Sequence, residues 1–234
     1  MKRTPPNRSH AVMAQRAEPH DSLDDFPTPP WATRALFAHV LPPQVWSRQT
    51  CLEPSCGAGH MARVLREHFA VVKAADIHDY GYGKVSDFLT TPYAPGSFDW
   101  VITNPPFRLA EDFIVRSLAI ARVGVAMFAR TALIEGVARY RRIFKPHPPT
   151  VVAQFTERVP IFRGRLAGKG STATAYAWFV WMAGEPAYPL AWIPPCRRAL
   201  ERPGDYDLVP TPPAGVPEEA ADAVPSRHAF DLFT

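Results

Sequence analysis

The sequence predicts an α/β protein built on one doubly wound, mostly parallel sheet of seven strands, with an antiparallel hairpin at one edge. Short apolar runs alternate with amphipathic stretches from residue 50 to residue 128, and strands joined by helices in that way pair in parallel through right-handed crossovers. Two more apolar runs, at 150–155 and 174–182, have no clear helix between them, which predicts the hairpin. At 234 residues, the chain is long enough for one such domain and short for two.

Each predicted element is defined by its periodicity and by the residues that end it. The apolar runs predicted as strands are 50–53, 71–76, a short one ending at 86–88, 99–103, 123–128, 150–155 and 174–182. Apolar residues at helical spacing predict helices over 33–41, 61–69, 109–121 and 131–144. Pro42, Pro54 and Pro105 follow three of these elements, and proline ends regular structure because it has no N–H to donate.

Proline, with 27 residues, is the compositional outlier and is concentrated at both ends of the chain. We therefore predict a flexible proline-rich segment over 1–25, the folded domain over 26–185 and a proline-rich tail over 186–234. The content of 47% hydrophobic and 21% charged residues is typical of a globular core. The first residues lack the apolar stretch of a secretory signal, and no apolar run approaches the ~18 residues of a membrane span, so we expect no membrane contact.

The cysteines are too few and too scattered for a disulfide framework or a metal site. An odd count of three predicts a reducing, cytoplasmic location. Cys51, Cys56 and His60 do not show the paired spacing of zinc ligands, because Cys51 lies inside a predicted strand. Pro195-Cys196 resembles the nucleophile of cytosine-C5 methyltransferases, but it lies in the tail and not at the end of the fourth strand. No metal site is predicted.

A glycine-rich turn lies between the first predicted strand and the helix that follows it. Gly57 and Gly59 let the backbone pass close to a ligand, and Gly57 to Ala62 fits the G-x-G-x-x-A pattern of dinucleotide sites. Ser55 belongs to the same turn. Glu53, just ahead of it, would repel a pyrophosphate but tolerates an amino-acid ammonium group. This turn is the first candidate ligand site.

Acidic residues end the second and third predicted strands, at the same edge of the sheet as the glycine turn. Asp76 is placed where a carboxylate accepts both hydrogens of a ribose diol, and Ile77 follows it directly. Asp87 is placed to accept from an adenine amino group while Phe88 covers the face of the base. Together these residues predict a ligand that contains adenosine, and they leave NAD and S-adenosylmethionine as alternatives.

The tetrapeptide Asn104-Pro105-Pro106-Phe107 ends the fourth predicted strand at that same edge. With Phe26-Pro27-Thr28-Pro29, the turn 53–59, Asp76 and the pair 87–88, it makes the chain resemble class I S-adenosylmethionine-dependent methyltransferases of amino groups. Their signature is Asn/Asp/Ser-Pro-Pro-Tyr/Phe/Trp. The order of the motifs is similar to that of gamma-type DNA adenine-N6 methyltransferases, and the short chain resembles phage or prophage members.

The resemblance spans residues 25–183 and implies a Rossmann-like sheet that binds S-adenosyl-L-methionine and methylates the N6 amino group of adenine in DNA. It implies catalytic roles for Asn104, Pro105, Pro106 and Phe107. It also implies cofactor contacts from residues before the first helix and after the first three strands: Thr28, Glu53, Ser55, Gly57, Gly59, Asp76, Ile77, Asp87 and Phe88. The chain departs from the family because no target-recognition domain follows, only the tail 186–234.

The residue types of the tetrapeptide suit methyl transfer to an amino nitrogen, whose lone pair is delocalised into its ring. Two acceptors on its hydrogens, the Asn104 side-chain oxygen and a carbonyl near Pro105, favour a tetrahedral nitrogen that can attack. Proline fixes φ and so holds such a carbonyl in place. Phe107 would stack on the base, which a duplex must extrude. The sulfonium already activates the methyl group, so no metal is expected.

Basic residues concentrate between residues 130 and 169, and a concentrated positive segment suits a polyanion partner. They are Arg130, Arg139, Arg141, Arg142, Lys145, Arg158, Arg163, Arg165 and Lys169. The last four lie among glycines between the final two predicted strands, which predicts a mobile loop that binds phosphates. In the family an aromatic residue of this region stacks on the extruded base. Phe162 is similar in placement, and Phe155 is the competing candidate.

The predicted partner is nucleic acid, with DNA favoured over RNA. N6-adenine methylation of RNA and N-methylation of a protein glutamine use the same chemistry, and the net charge of +4 favours nucleic acid over protein. From other classes, a nicotinamide-dependent oxidoreductase needs a proton-transfer residue, for which there is no convincing candidate. A non-catalytic nucleic-acid-binding protein would not need intact Asn104 and Asp76.

Overall fold

A computed structural model of the protein describes residues 24–42, 46–168, 170, 172–187, 190–193 and 195–207. The described strands are β1 (Thr50–Glu53), β2 (Val71–Asp76), β3 (Lys84–Val85), β4 (Phe98–Thr103), β5 (Ala121–Arg130), β6 (Val151–Phe155), β7 (Tyr176–Met182) and β8 (Leu190–Ile193). The described helices are α1 (Pro30–His39), α2 (His60–Leu65), α3 (Ala110–Ile120), α4 (Val137–Arg139) and α5 (Arg197–Leu200), with a 3-10 turn at Trp46–Arg48.

The described strands form one sheet in the order β3-β2-β1-β4-β5-β7-β6-β8, which confirms the predicted fold class. The first five strands pair in parallel, and β7 lies between β5 and β6, antiparallel to both. The predicted antiparallel pair is therefore present, with β7 inserted inside the sheet. An eighth strand adds to the expected seven, because β8 pairs in parallel with β6. It follows the predicted domain boundary at residue 185.

The prediction of one continuous helix over 131–144 is wrong. The structure has a 3-10 turn at Thr131–Ile134, then α4, then a π-helical turn at Tyr140–Phe144. Gly136 interrupts the run with a φ of 114°, a conformation that side-chain-bearing residues rarely adopt. Arg139 Nη1 donates to two backbone carbonyls of the preceding turn, which satisfies acceptors that a continuous helix would have bonded internally.

Both faces of the sheet are covered by apolar side chains. On β7, Tyr176, Trp178 and Val180 point into the cluster that contains α1 and α2, whereas Phe179 and Trp181 point into the cluster that contains α3. Successive side chains of a strand point to opposite faces, so a strand buried on both faces is apolar throughout. This packing explains why the aromatic stretch of β7 is core and not a binding platform.

Arg34 of α1 connects the domain to residues near the end of the described chain. Its guanidinium lies 2.8 Å from carboxylate oxygens of both Glu67 and Asp205, and it donates to the Leu200 carbonyl at 2.9 Å. The side chains of Arg34 and Asp205 are only 9% and 5% exposed. The described residues around α5 therefore pack on the domain although they follow residue 185.

Arg34→Met is expected to lower the free energy of unfolding by about 3–5 kcal/mol, because it leaves the buried Asp205 carboxylate without its partner. Urea denaturation measures this loss. Arg202→Ala is the matched control, since Arg202 pairs with Glu67 at 2.8 Å but its side chain is 59% exposed, and its loss is expected to stay below about 1 kcal/mol. Equal losses from the two variants would contradict the structural role of Arg34.

Candidate active site

A cleft of about 400 Å³ opens at the carboxyl ends of β1, β2 and β4, three adjacent strands. Ligands of open α/β sheets bind at such edges. The structure brings twelve of the thirteen predicted catalytic and cofactor residues to its walls: Thr28, Glu53, Ser55, Gly57, Asp76, Ile77, Asp87, Phe88, Asn104, Pro105, Pro106 and Phe107. The exception is Gly59.

The two glycines of the turn after β1 have different roles. Gly57 has a φ of 49°, and its N–H donates to Asp76 Oδ2 at 2.9 Å, which ties the turn to the end of β2. Gly59 has a φ of 83° and precedes α2. A Cβ atom at Gly59 would lie 2.4 Å from the Tyr82 ring. Gly59 is therefore required by the packing behind the turn, while Gly57 faces the cleft.

Glu53 is a buried carboxylate at the cleft wall. It is 2% exposed, and its Oε2 has no hydrogen-bond partner among the described residues. Burial raises the pKa of Glu53 well above its usual value, and the nearby charge of Asp76 raises it further. A buried acceptor of this kind costs free energy unless a donor reaches it. A ligand ammonium group supplies such a donor.

The carboxylates of Asp76 and Asp87 already bond to the chain. Asp76 Oδ1 accepts from the His78 N–H at 3.0 Å, opposite the bond from the glycine turn, while burial raises the pKa of Asp76. Asp87 accepts from the Leu89 N–H and the Thr90 hydroxyl, both at 2.9 Å. Each oxygen keeps a further lone pair. Asp76 and Asp87 are thus rigid acceptors at the cleft rather than free side chains.

The apolar wall of the cleft differs from the sequence-based expectation. Phe88 is 2% exposed and packs against Phe113, with ring centroids 4.8 Å apart, so little of its ring faces the cleft. Ile77 is 55% exposed and lines the same cleft. Ile77 therefore offers open apolar surface for a base, and so does Leu109, which is 40% exposed and lines the same cleft.

Asn104 is held in one orientation by the residues ahead of α1. Its Nδ2 donates to the Phe26 carbonyl at 2.8 Å, and because a carbonyl only accepts, this bond fixes which end of the amide is the oxygen. The Asn104 Oδ1 is buried and has no partner among the described residues. Ser55 Oγ donates to the Asn104 backbone carbonyl at 2.9 Å. The cleft therefore presents one oriented, unused amide oxygen.

Phe107 lies in a cluster of side chains beside this amide. Its ring centroid is 4.8 Å from that of Phe26, and the Cζ of Arg130 lies 3.8 Å from it. Its backbone N–H donates to Asp24 Oδ2 at 2.5 Å. Phe107 is thus fixed at both its backbone and its ring.

The predicted substrate loop lies near the cleft but does not line it. Arg158, Arg163 and Arg165 are exposed, and Phe162 is half-buried under Arg165, whose Cζ lies 4.8 Å from its ring centroid. Arg158 Nη1 donates to the Ala173 carbonyl at 2.8 Å. Within the loop, the Gly164 N–H donates to the Asp25 carbonyl at 2.9 Å, which joins the loop to the cleft wall. Lys169 lies outside the described residues. The competing candidate, Phe155, is 5% exposed in the core.

Comparison with known proteins identifies the fold alone. No protein-family model matches the chain, and no curated protein matches it. Among solved structures it is similar to a "modification subunit of a putative type I restriction enzyme" from Vibrio vulnificus YJ016, with a TM-score of 0.51 and 16% identity over 69% of this chain. The chain shares its Rossmann-like fold with that subunit. It spans 45% of the length of that subunit.

Weaker likenesses accompany this one. A dimethyladenosine transferase from Plasmodium falciparum has a TM-score of 0.46 and 14% identity, and the match covers 68% of this chain and 62% of the transferase. The 23S rRNA methyltransferase ErmE has a TM-score of 0.43 and 15% identity, covering 70% of this chain and 72% of its own. At these scores the likenesses support no functional comparison.

Several residues at the cleft were not identified from the sequence. Asp24, Asp25 and Tyr80 line it, and His60 was considered only as a zinc ligand. Asp24 and Asp25 directly precede the Phe26-Pro27-Thr28-Pro29 motif, which is the one sequence signal that could have found them. Burial raises the pKa of Asp25, the charge of Asp76 raises it further, and Arg163 opposes the rise.

The described part of the chain lacks both a metal-binding cluster and a membrane-spanning helix. No group of three or more His, Cys, Asp or Glu side chains is arranged to hold a metal ion. No described helix has the length and apolar character needed to cross a membrane. The three cysteines are free and buried.

His60 is expected to make stability depend on pH. It is 4% exposed, and neither ring nitrogen has a hydrogen-bond partner among the described residues. Burial, helped by the charge of Arg63, lowers the pKa of His60 to about 4. As the pH falls, His60 is therefore protonated in the unfolded chain before it is protonated in the folded one. Its neutral form contributes fully to the stability of the fold above about pH 6.5, and that contribution is lost as the pH falls toward 4. Replacing it by an apolar side chain of similar size, His60→Met, should remove that part of the slope.

Urea denaturation of both proteins at pH 7, 6 and 5 measures the effect. As the pH is lowered from 7 to 6 to 5, the unfolding free energy of the natural protein is expected to fall relative to that of His60→Met. A difference that stays constant with pH would show that His60 is protonated equally in both states.

Proposed function

We propose that the protein is an S-adenosyl-L-methionine-dependent N-methyltransferase that acts on the N6 amino group of adenine in DNA. The observation that carries the proposal is the buried Asn104 Oδ1, oriented and without a partner in the cleft. An acceptor in this state suits a substrate N–H. The Glu53 Oε2 also has no partner among the described residues and lines the same cleft. One cavity therefore offers one acceptor for the ammonium of the methyl donor and another for the amino group of the substrate.

The donor set fits the cofactor. Glu53 would bind the ammonium of its amino-acid part, because that group provides the hydrogen bond and the positive charge that the buried carboxylate lacks. Asp76 would accept from the ribose hydroxyls through its remaining lone pairs, and Ile77 would cover the adenine. When bound, the cofactor supplies a methyl group on a positively charged sulfur. No side chain is needed to activate that methyl group.

The chain's own residues would prepare the nitrogen for attack. Asn104 Oδ1 would accept a hydrogen bond from one N–H of the substrate amino group. The Phe26 carbonyl keeps the Asn104 amide from turning its own NH2 toward the substrate. Pro105 and Pro106 fix the backbone that carries Asn104. Fixed acceptors lower the barrier because the groups need not reorganise during the reaction. Phe107 would stack on the base.

Charge supports a nucleic acid as the substrate rather than a protein glutamine. The chain has a net charge of +4, and the exposed Arg158, Arg163 and Arg165 lie on the loop joined to the cleft wall through Gly164. RNA and glutamine share the chemistry, so a transfer assay must include them. Tritiated cofactor is incubated with unmethylated DNA, total RNA and protein, and labelled nucleosides or residues are identified. Label in N6-methyldeoxyadenosine is expected; label only in RNA or protein would overturn the DNA assignment.

Asn104→Ala is expected to abolish methyl transfer, with a loss of at least about 100-fold, because the oriented amide oxygen is removed. Cofactor affinity should stay within about threefold, since Asn104 is assigned to the substrate and not to the cofactor. Transfer kinetics and calorimetric titration of the cofactor measure the two effects. A large loss of cofactor affinity would show that Asn104 was misassigned.

Glu53→Gln is expected to weaken binding of S-adenosylmethionine and S-adenosylhomocysteine equally, by about tenfold or more, because both carry the ammonium. Binding is also expected to lower the raised pKa of Glu53, because a cation beside the carboxylate favours its charged form. Ligand binding should therefore release protons in the pH range between the free and bound pKa values. Calorimetry in buffers of different ionisation enthalpy measures that release. The idea fails if only S-adenosylmethionine loses affinity or if Glu53→Gln releases the same number of protons.

A further inference from the structure

Arg130, the last residue of β5, places an unneutralised positive charge beside the Asn104 motif. It is exposed, and its guanidinium carbon lies 3.8 Å from the centroid of the Phe107 ring. It forms no salt bridge with a carboxylate in the described part of the chain, whereas Arg139 and Arg142 pair with acidic residues of α3 at 3.0 and 2.5 Å. Its charge is therefore available to an anion from outside the described protein.

Aromatic contacts hold the Arg130 guanidinium in place. It stacks on Phe107 and lies 6.0 Å from the Phe26 ring centroid. The Phe26 and Phe107 centroids are 4.8 Å apart. These three distances form a nearly right-angled triangle with its corner at Phe107, so Phe26 and Arg130 do not lie directly opposite each other across the ring. Phe107 also lines the cleft.

We propose that Arg130 binds a backbone phosphate of the nucleic acid next to the target nucleotide while its guanidinium stays stacked on Phe107. The inference rests on the proposed function and adds a substrate contact to it. A guanidinium binds phosphate oxygens through its planar edge, so its face remains free to stack. A base that stacks on Phe107 from the side away from Arg130 is separated from the guanidinium by the thickness of one ring, which brings the attached phosphate within reach of the guanidinium edge.

The test uses an oligonucleotide that carries the adenine labelled in the transfer assay, as DNA or RNA according to that result. Each phosphate flanking the adenine is replaced in turn by a neutral methylphosphonate. Binding to the full-length protein is measured by fluorescence anisotropy with S-adenosylhomocysteine present, over a range of salt concentrations. The variants are Arg130→Gln, Arg130→Lys and the matched control Arg48→Gln. Arg48 is exposed and precedes β1, at the opposite edge of the sheet.

Arg130→Gln is expected to weaken binding about tenfold and to lower the salt slope by about one, while Arg48→Gln changes neither. At one flanking position, the methylphosphonate should lower the affinity of the natural protein by a similar factor and leave the affinity of Arg130→Gln unchanged. Arg130→Lys, which keeps the charge, should retain the salt slope even if loss of the planar stack weakens binding. The inference is overturned if Arg130→Gln behaves like Arg48→Gln, or if it remains sensitive to every methylphosphonate.

These outcomes separate the inference from the function on which it rests. If the transfer assay labels neither DNA nor RNA, the proposed substrate is wrong and the phosphate contact falls with it. If nucleic acid is labelled and Asn104→Ala is inactive while the Arg130 variants match the control, the function stands and only the phosphate contact is wrong.

Discussion

The hydrogen bond from the Asn104 side chain to the Phe26 carbonyl is the interaction on which the candidate site depends. Without it the amide could present either its oxygen or its NH2 to the cleft, and only the oxygen accepts from an amino group. The bond joins residues 78 positions apart in the chain. The orientation of the Asn104 amide at the end of β4 is therefore set by a segment ahead of α1.

That segment makes a separate contact from each of three consecutive residues. Asp24 accepts from the Phe107 N–H, the Asp25 carbonyl accepts from the Gly164 N–H, and the Phe26 carbonyl accepts from Asn104. The first and third bonds reach the Asn104 motif, and the second reaches the arginine-containing loop. The loop and the Asn104 side chain are therefore bonded to adjacent residues of one segment.

Much of the fold and part of the site follow from local sequence. Proline and glycine end β1 and β4 sharply, so the sequence places Glu53 and Asn104 at one sheet edge without knowledge of tertiary contacts. The strand β8 was missed because four residues between prolines carry no clear periodicity. The helix over 131–144 was overpredicted because apolar spacing does not register a positive φ at Gly136.

The rest of the site depends on long-range geometry that no local pattern encodes. Gly59 fits the ligand-binding pattern, but only the position of the Tyr82 ring shows that it serves packing. Phe88 was expected to cover a base, yet its contact with Phe113 turns it into the core. Likewise, Arg130 was one cation among nine in the basic segment. Its stacking on Phe107 became visible only when β4 and β5 were placed side by side.

The charges that line the cleft differ in sign from those around it. Carboxyl groups outnumber cations in the cleft lining, which carries Asp24, Asp25, Glu53, Asp76 and Asp87 against Arg108. Arg130 and the loop arginines are exposed and do not line the cleft. An acidic interior attracts a cationic methyl donor and repels phosphate. Because a nucleobase is uncharged, it is the part of a nucleic acid that can enter such a cleft while its phosphates stay at the basic rim. Charge alone would therefore favour extrusion of the base over entry of the strand.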